Sequence, residues 1–339
     1  MSILTPRRFA AVLGTGIALL AAAIVASLAL GPSGLAPGDA LRVLVGGGGP
    51  AERDIVLAVR LPRVVLAALV GASLSVAGTL FQALLRNPLA DPFVLGVSGG
   101  AALGGISVLG LGASFGIGAL WVPPAAFAGA LVTTLLLFAV AGARGRLSST
   151  SLLLTGVVFN AVASAAIVFI ASLSGLVEGT GIFLWLIGSL SSARLELAGA
   201  VAIFLALGLA CALPLSRGLD LLALGEETAA QLGVDVGLVQ RLLLVATSLM
   251  VGAAVAVSGL IGFVGLIIPH LLRLVLGPGH RLLVPSAALG GAAFLLVCDT
   301  AARVLLPGRE LPVGAVTALA GGPLFLVLLR REQLRGGSR

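Results

Sequence analysis

The chain has 339 residues, of which 59% are hydrophobic and only 10% charged, and its mean hydropathy is +1.20. A surface this poor in charge excludes a soluble globular protein, a disordered chain and a disulfide scaffold, and its long runs of Leu, Ala, Val and Gly exclude the short alternating strands of a β-barrel. The net charge of +7 comes entirely from Arg, since no Lys occurs among the twenty basic residues; their place at the ends of apolar runs argues against nucleic acid as a partner.

Arg7 and Arg8 precede an apolar run over about residues 10–30, longer than the hydrophobic part of a secretory signal. It predicts an uncleaved first helix with its N-terminus inside. Runs near the ~20 residues that a bilayer core demands follow at about 62–84, 93–112, 119–141, 151–173, 197–215, 241–259, 282–305 and 312–330, with a shorter one at 260–273. The prediction is an all-α polytopic membrane protein of about ten transmembrane helices, one domain over residues 1–339. Ile182–Leu190 is too short to span and reads as a re-entrant or surface helix.

Ten crossings place the loops 85–92, 142–150, 216–240 and 274–281 and the tail 331–339 on the inner side. Thirteen of the twenty Arg, Arg144 and Arg146 among them, then lie at inner ends. Arg42, Arg53, Arg60, Arg63, Arg194, Arg303 and Arg309 lie outside. The bias has the sign of the positive-inside rule. The 48 Gly residues imply close helix packing. Val70–Gly78 resembles Val251–Gly259, a hint of an inverted repeat. Cys211 and Cys298 lie in apolar runs and read as buried hydrophobes. Two His, His270 and His280, form no metal-ligand spacing.

In so apolar a chain the polar islands carry the information. The first is Arg86-Asn87-Pro88-Leu-Ala-Asp91-Pro92 followed by Leu-Gly-Val-Ser-Gly-Gly-Ala. Pro88 and Pro92 end one helix and begin the next, and Asp91 suits the cap; a tight turn alone accounts for the pattern. The second is the inner loop over about 219–236, read as two short helices broken at Gly225 and Gly233, with Glu226 and Glu227 opening the second. It is long enough to make a docking surface, or to serve as a solvated connector. The third runs from Gly259 through Phe263 to Pro269, His270 and Arg273, where Pro269 predicts a kink or an end. The fourth holds Asp299 and Arg303, four apart on one helix face and able to pair, then Arg309-Glu-Leu-Pro-Val-Gly314.

The sequence holds no Walker loop, no His-Glu-x-x-His and no Gly-x-Ser-x-Gly, and neither Ser98 nor Ser189 has a base nearby in sequence. No catalytic and no metal-binding residue is expected. An ATP-independent secondary transporter is the competing class, and such carriers hold intramembrane carboxylates along their path; only Asp299 stands within a run here.

Taken together and in order, from about Arg60 to Leu329, these islands resemble the FecCD (BtuC-like) permease family. The resemblance implies a type II ABC importer permease fold in the bacterial cytoplasmic membrane, with both termini cytoplasmic. It implies a homodimer, two ATPase subunits docked inside and a substrate-binding protein outside. ATP and Mg belong to the ATPase, so no cofactor is expected here. The inner loop resembles the family's coupling helices, which gives Gly225, Glu226, Glu227, Leu232 and Gly233 a coupling role. Arg60, Arg63 and Arg303 resemble outer arginines that await acidic side chains of the binding protein. The expected cargo is a ferric siderophore, with cobalamin and haem as alternatives.

Overall fold

The computed structural model describes residues 5–141, 149–174, 185–191, 193–306 and 308–336. Among them there is no strand. Ten apolar helices stand among the described residues: α1 (Pro6–Ala29), α2 (Leu61–Leu84), α3 (Val97–Leu111), α4 (Val122–Ala141), α5 (Ser149–Leu173), α6 (Leu195–Ala212), α7 (Val236–Ser258), α8 (Val264–Leu276), α9 (His280–Val304) and α10 (Val313–Gly336). Seven are long and apolar enough to cross a membrane, while α3, α8 and the apolar part of α10 are shorter.

Helix α2 is the axis of the bundle. It is buried almost all round, as a helix apolar on every face must be, and α6, α7, α8 and α9 pack on it. α3, α4 and α5 form a second group joined through α7, and α1 lies against α9. Small residues set the closest approaches. A Cβ at Gly78 would run into the Gly265 carbonyl, and one at Gly71 into the Gly291 carbonyl. The Gly265 carbonyl is the one that Pro269, lacking an N–H, leaves without its i+4 donor. α8 nevertheless continues through Pro269 to Leu276, so the expected break lies earlier, at Gly259–Phe263. Phe263 there has φ +70°, a left-handed backbone that is rare for an aromatic residue.

Two expectations are corrected. The second helix does not begin near residue 62: helical backbone runs from Pro50, through the π-helical turn Asp54–Arg60, into α2. Pro62 sits where that wider turn hands over to α-helix, which is why a helix-start signal appears in mid-helix. A short helix, Pro37–Leu44, fills the preceding loop. The C-terminal helix continues to Gly336, so most of the expected tail 331–339 is helical. Arg144, Arg146 and residues 182–184 lie outside the described residues. The described remainder of the expected surface helix is a single turn near Trp185. Gly188 and Ser189 then bond to the ends of α10 and α7, through Gly314 N–H and the Ser258 carbonyl.

The polar islands sort to two ends. Arg86, Glu226, Arg273 and His280 gather at one; Arg60, Arg63, Arg303 and Glu310 gather at the other. The length of α2 separates them by about 36 Å. α7 begins beside Arg86 at the C-terminal end of α2, so the two helices carrying the resembling segments run in opposite directions.

Candidate coupling site and buried arginine cluster

The turn after α2 is built as its sequence dictates. Arg86 closes the helix in the left-handed region, φ 53°. The Arg86 N–H donates to the Ala83 carbonyl and the Asn87 N–H to the Gln82 carbonyl, the bond pair that ends helices at a residue usually Gly. Asn87 Oδ1 accepts from Leu89 N at 2.9 Å, and Pro88 occupies the turn that the Ala90 N–H closes onto the Asn87 carbonyl. Asp91 Oδ1 accepts from Phe93 N at 2.9 Å, capping a short 3₁₀ turn that starts at Pro92. Burial pushes the Asp91 carboxyl up to about 6, against the opposing pull of the Phe93 N–H.

The inner loop forms two short helices, Ser216–Leu222 and Glu226–Gln231. Gly225 and Gly233 have φ +120° and +84°, so a side chain at either break would be strained. Glu226 and Glu227 sit in the first turn of the second helix, where the free N–H groups favour negative charge. Leu224 and Leu232 are exposed, and Asp235 caps α7 through Leu238 N at 2.9 Å.

Geometry joins islands that are far apart in sequence. Arg86 Nη2 lies 3.0 Å from Glu226 Oε1. Gln240 of α7 donates to the same oxygen at 3.3 Å. Arg86, Gly225, Glu226, Glu227 and Gln231 line one cleft of about 650 Å³. Asp220 accepts from the His280 backbone N–H at 2.9 Å, and its Oδ1 lies 2.7 Å from His280 Nδ1. The loop is thereby tied to the ends of α2, α7 and α9. Arg273 donates to Gln82 Oε1 at 2.8 Å, and Gln82 donates to the Leu266 carbonyl at 3.2 Å. This pins α8 to α2, with Pro269 and the buried His270 between those contacts. Gln82, Gln240 and Asp220 are not singled out by the sequence reading; an amide or a carboxylate within or beside an apolar helix is the signal that marks them, and His280, read there only for metal spacing, is the partner of Asp220.

At the far end the three arginines meet partners within the fold. Arg60, Arg63 and Arg303 do not stand open to solvent; they are 3%, 8% and 3% exposed. Asp299, fully buried, takes Arg63 Nε at 3.0 Å and Arg303 Nε at 3.0 Å. Arg63 also reaches Glu310 at 2.9 Å. Arg60 donates to the Leu28 and Ala29 carbonyls at 2.7 and 2.9 Å, and Arg303 to Ser27 Oγ at 2.7 Å and the Leu30 carbonyl at 3.1 Å. The last carbonyls of α1 lack intrahelical donors, and two guanidiniums supply them. The Asp299–Arg303 pair is the one predicted from i,i+4 spacing; Arg63, 236 residues from Asp299, completes it.

Known proteins share this architecture. The chain is 44% identical over 281 residues to the cobalamin import system permease protein BtuC of Halobacterium salinarum, covering 83% of this chain and 74% of that one. It is 43% identical over 287 residues to the hemin transport system permease protein HmuU of Yersinia pestis, covering 83% and 85%. It is 39% identical over 317 residues to the vitamin B12 import system permease protein BtuC of Escherichia coli, covering 92% of each. A solved inward-facing ABC transporter of the metal-chelate type superposes with a TM-score of 0.83 at 33% identity, covering 94% of this chain and 98% of that one. The family model of the FecCD transport family matches residues 19–331, and the chain belongs to that family: it is a membrane permease subunit of an ABC importer, whose ATPase is a separate subunit.

Proposed function

We propose that this subunit forms a homodimer in the cytoplasmic membrane and carries an intact metal chelate inward, powered by two ATPase subunits on the side of the inner loop. Cobalamin leads the cargo classes, because two relatives that cover 83% and 92% of this chain carry that name. Haem stands second on the strength of a relative at 43% identity. A ferric siderophore, the expectation from sequence, stands third because none of these three relatives is named for one.

The observation that carries the coupling reading is the contact between Arg86 and Glu226. Through it, and through Asp220–His280 and Gln240–Glu226, a push on the loop reaches the inner ends of α2, α9 and α7 together. Exposed Leu224 and Leu232 give the ATPase an apolar foothold, with Glu227 beside them. α2 and α9 are locked to each other again at the far end by Arg63, Asp299 and Arg303. The substrate-binding protein docks at that end. Arg63 engages it by exchange, an acidic group of the partner displacing Glu310, the half-exposed member of the cluster, with Arg60 and Arg303 adding positive charge beside it. The subunit does no chemistry on the cargo; it alternates access.

The test of the cargo is uptake into proteoliposomes holding the permease and its cognate ATPase, with the binding protein outside. Cobalamin, haem and a ferric siderophore are offered in parallel. Saturable uptake of cobalamin over the other two supports the reading, and uptake of siderophore alone overturns it.

A further inference from the structure

We propose that the crevice between α1, α8 and α9 is a site for one anionic phospholipid of the cytoplasmic leaflet. The crevice holds about 400 Å³. Thr15 and Gly16 form its α1 wall, Leu272 its α8 wall, and Ser286 and Gly290 its α9 wall. Along α1 it extends from Ala11 to Leu19, a rise of about 12 Å. Small residues open the slot and Leu side chains line it, which suits an acyl chain.

Two further observations select the headgroup. Ser286 is 6% exposed, and its Oγ has no hydrogen-bond partner. A buried hydroxyl left unpaired is costly, and a lipid ester carbonyl in the crevice would accept from it. Two basic side chains stand at the N-terminal ends of α1 and α9, beyond one end of the crevice. Arg8 donates to the carbonyl of Leu276, itself a lining residue, at 2.9 Å. Arg281 lines a smaller cavity of about 240 Å³ with Thr5, Pro6 and Phe9. Arg281 precedes Ser286 by five residues, about 7.5 Å along α9 and about 140° around it; the link between the two cavities is α1, where Phe9 of the smaller one and Val12 of the crevice share a face three residues apart, so a lipid lying along that face sets its phosphate at the Arg281 end and its acyl chain in the crevice. Basic pockets between helices on the cytoplasmic side are matched to anionic headgroups.

The leaflet assignment rests on the importer reading above. Lipid retention is read on the permease alone, so it fails or succeeds independently of cargo and of ATP. The full chain is equilibrated in detergent micelles holding equal phosphatidylglycerol and phosphatidylcholine, and retained lipid is counted by native mass spectrometry. The wild type is expected to retain phosphatidylglycerol in preference. Arg281→Gln lowers that preference by about five-fold, the effect of one arginine at a lipid surface, while Arg281→Lys keeps it. Ser286→Leu with Ala293→Leu fills the slot and removes retained lipid of both kinds. Equal retention of the two lipids by the wild type overturns the proposal. So does an unchanged preference in Arg281→Gln, whose exposed position leaves folding intact.

Discussion

The Arg86 guanidinium stands 3.0 Å from the Glu226 carboxylate, joining the end of the central helix to the first turn of the second loop helix. Both side chains are about one-third exposed, so the pair contributes about 0–1 kcal/mol to stability. Its consequence is mechanical. Glu226→Arg is expected to leave the melting temperature within a few degrees of wild type. ATP-dependent uptake should fall by about ten-fold or more, the size of a typical coupling free energy. The double variant Arg86→Glu with Glu226→Arg should recover part of it. Transport equal to wild type in the single variant would remove the coupling role.

Asp299 holds two buried guanidiniums. Removing one partner of a buried pair leaves charge uncompensated, at a cost of about 3–5 kcal/mol. Asp299→Ala should therefore melt far below wild type in detergent, and Asp299→Asn should fall between. Thermal unfolding followed by tryptophan fluorescence measures this. A melting temperature unchanged in Asp299→Ala would show that the cluster bears no load.

Glu310 gives the exchange idea its own test. Glu310→Gln weakens the hold on Arg63 without unburying Asp299. Binding-protein affinity, measured by surface plasmon resonance on the reconstituted permease, should rise. A fall would place Glu310 itself in the docking contact.

Asp91 predicts a pH dependence. Burial pushes its folded carboxyl up to about 6, from an ordinary value of 3.8. The folded state thus binds the proton more tightly than the unfolded state. The contribution of Asp91 to stability is fully present below about pH 4 and is lost as pH rises through 6, by about 3 kcal/mol at most. Asp91→Asn keeps the acceptor for Phe93 N–H and cannot ionise. Melting temperatures of the two proteins should diverge between pH 5 and pH 7.5 in favour of Asn. Parallel curves would contradict the burial of an ionisable Asp91.

Much of this was legible in the sequence. Ten apolar helices, the glycine breaks at 225 and 233 and the Asp91 cap follow from periodicity and local chemistry. The Asp299–Arg303 pair was readable because four residues make one helical face. Arg63, Arg86, Gln82 and His280 find partners 236, 140, 191 and 60 residues away, and no local rule reports such distances. The same gap hid the partners that Arg60 and Arg63 have within the fold. Their exception to the positive-inside rule is visible in the sequence, and so is Asp299 as a partner for Arg303; that Asp299 and Glu310 also take Arg63 is not. Pro62 misled for a different reason, because a π-helical turn let a helix run through a residue that ordinarily starts one.

The most direct measurement is uptake into proteoliposomes with ATP present or absent inside and binding protein present or absent outside. Uptake that requires both, and that Glu226→Arg lowers about ten-fold or more while the complex remains assembled, is the predicted result. Accumulation without ATP would contradict an ATP-driven permease and return the chain to the class of secondary transporters.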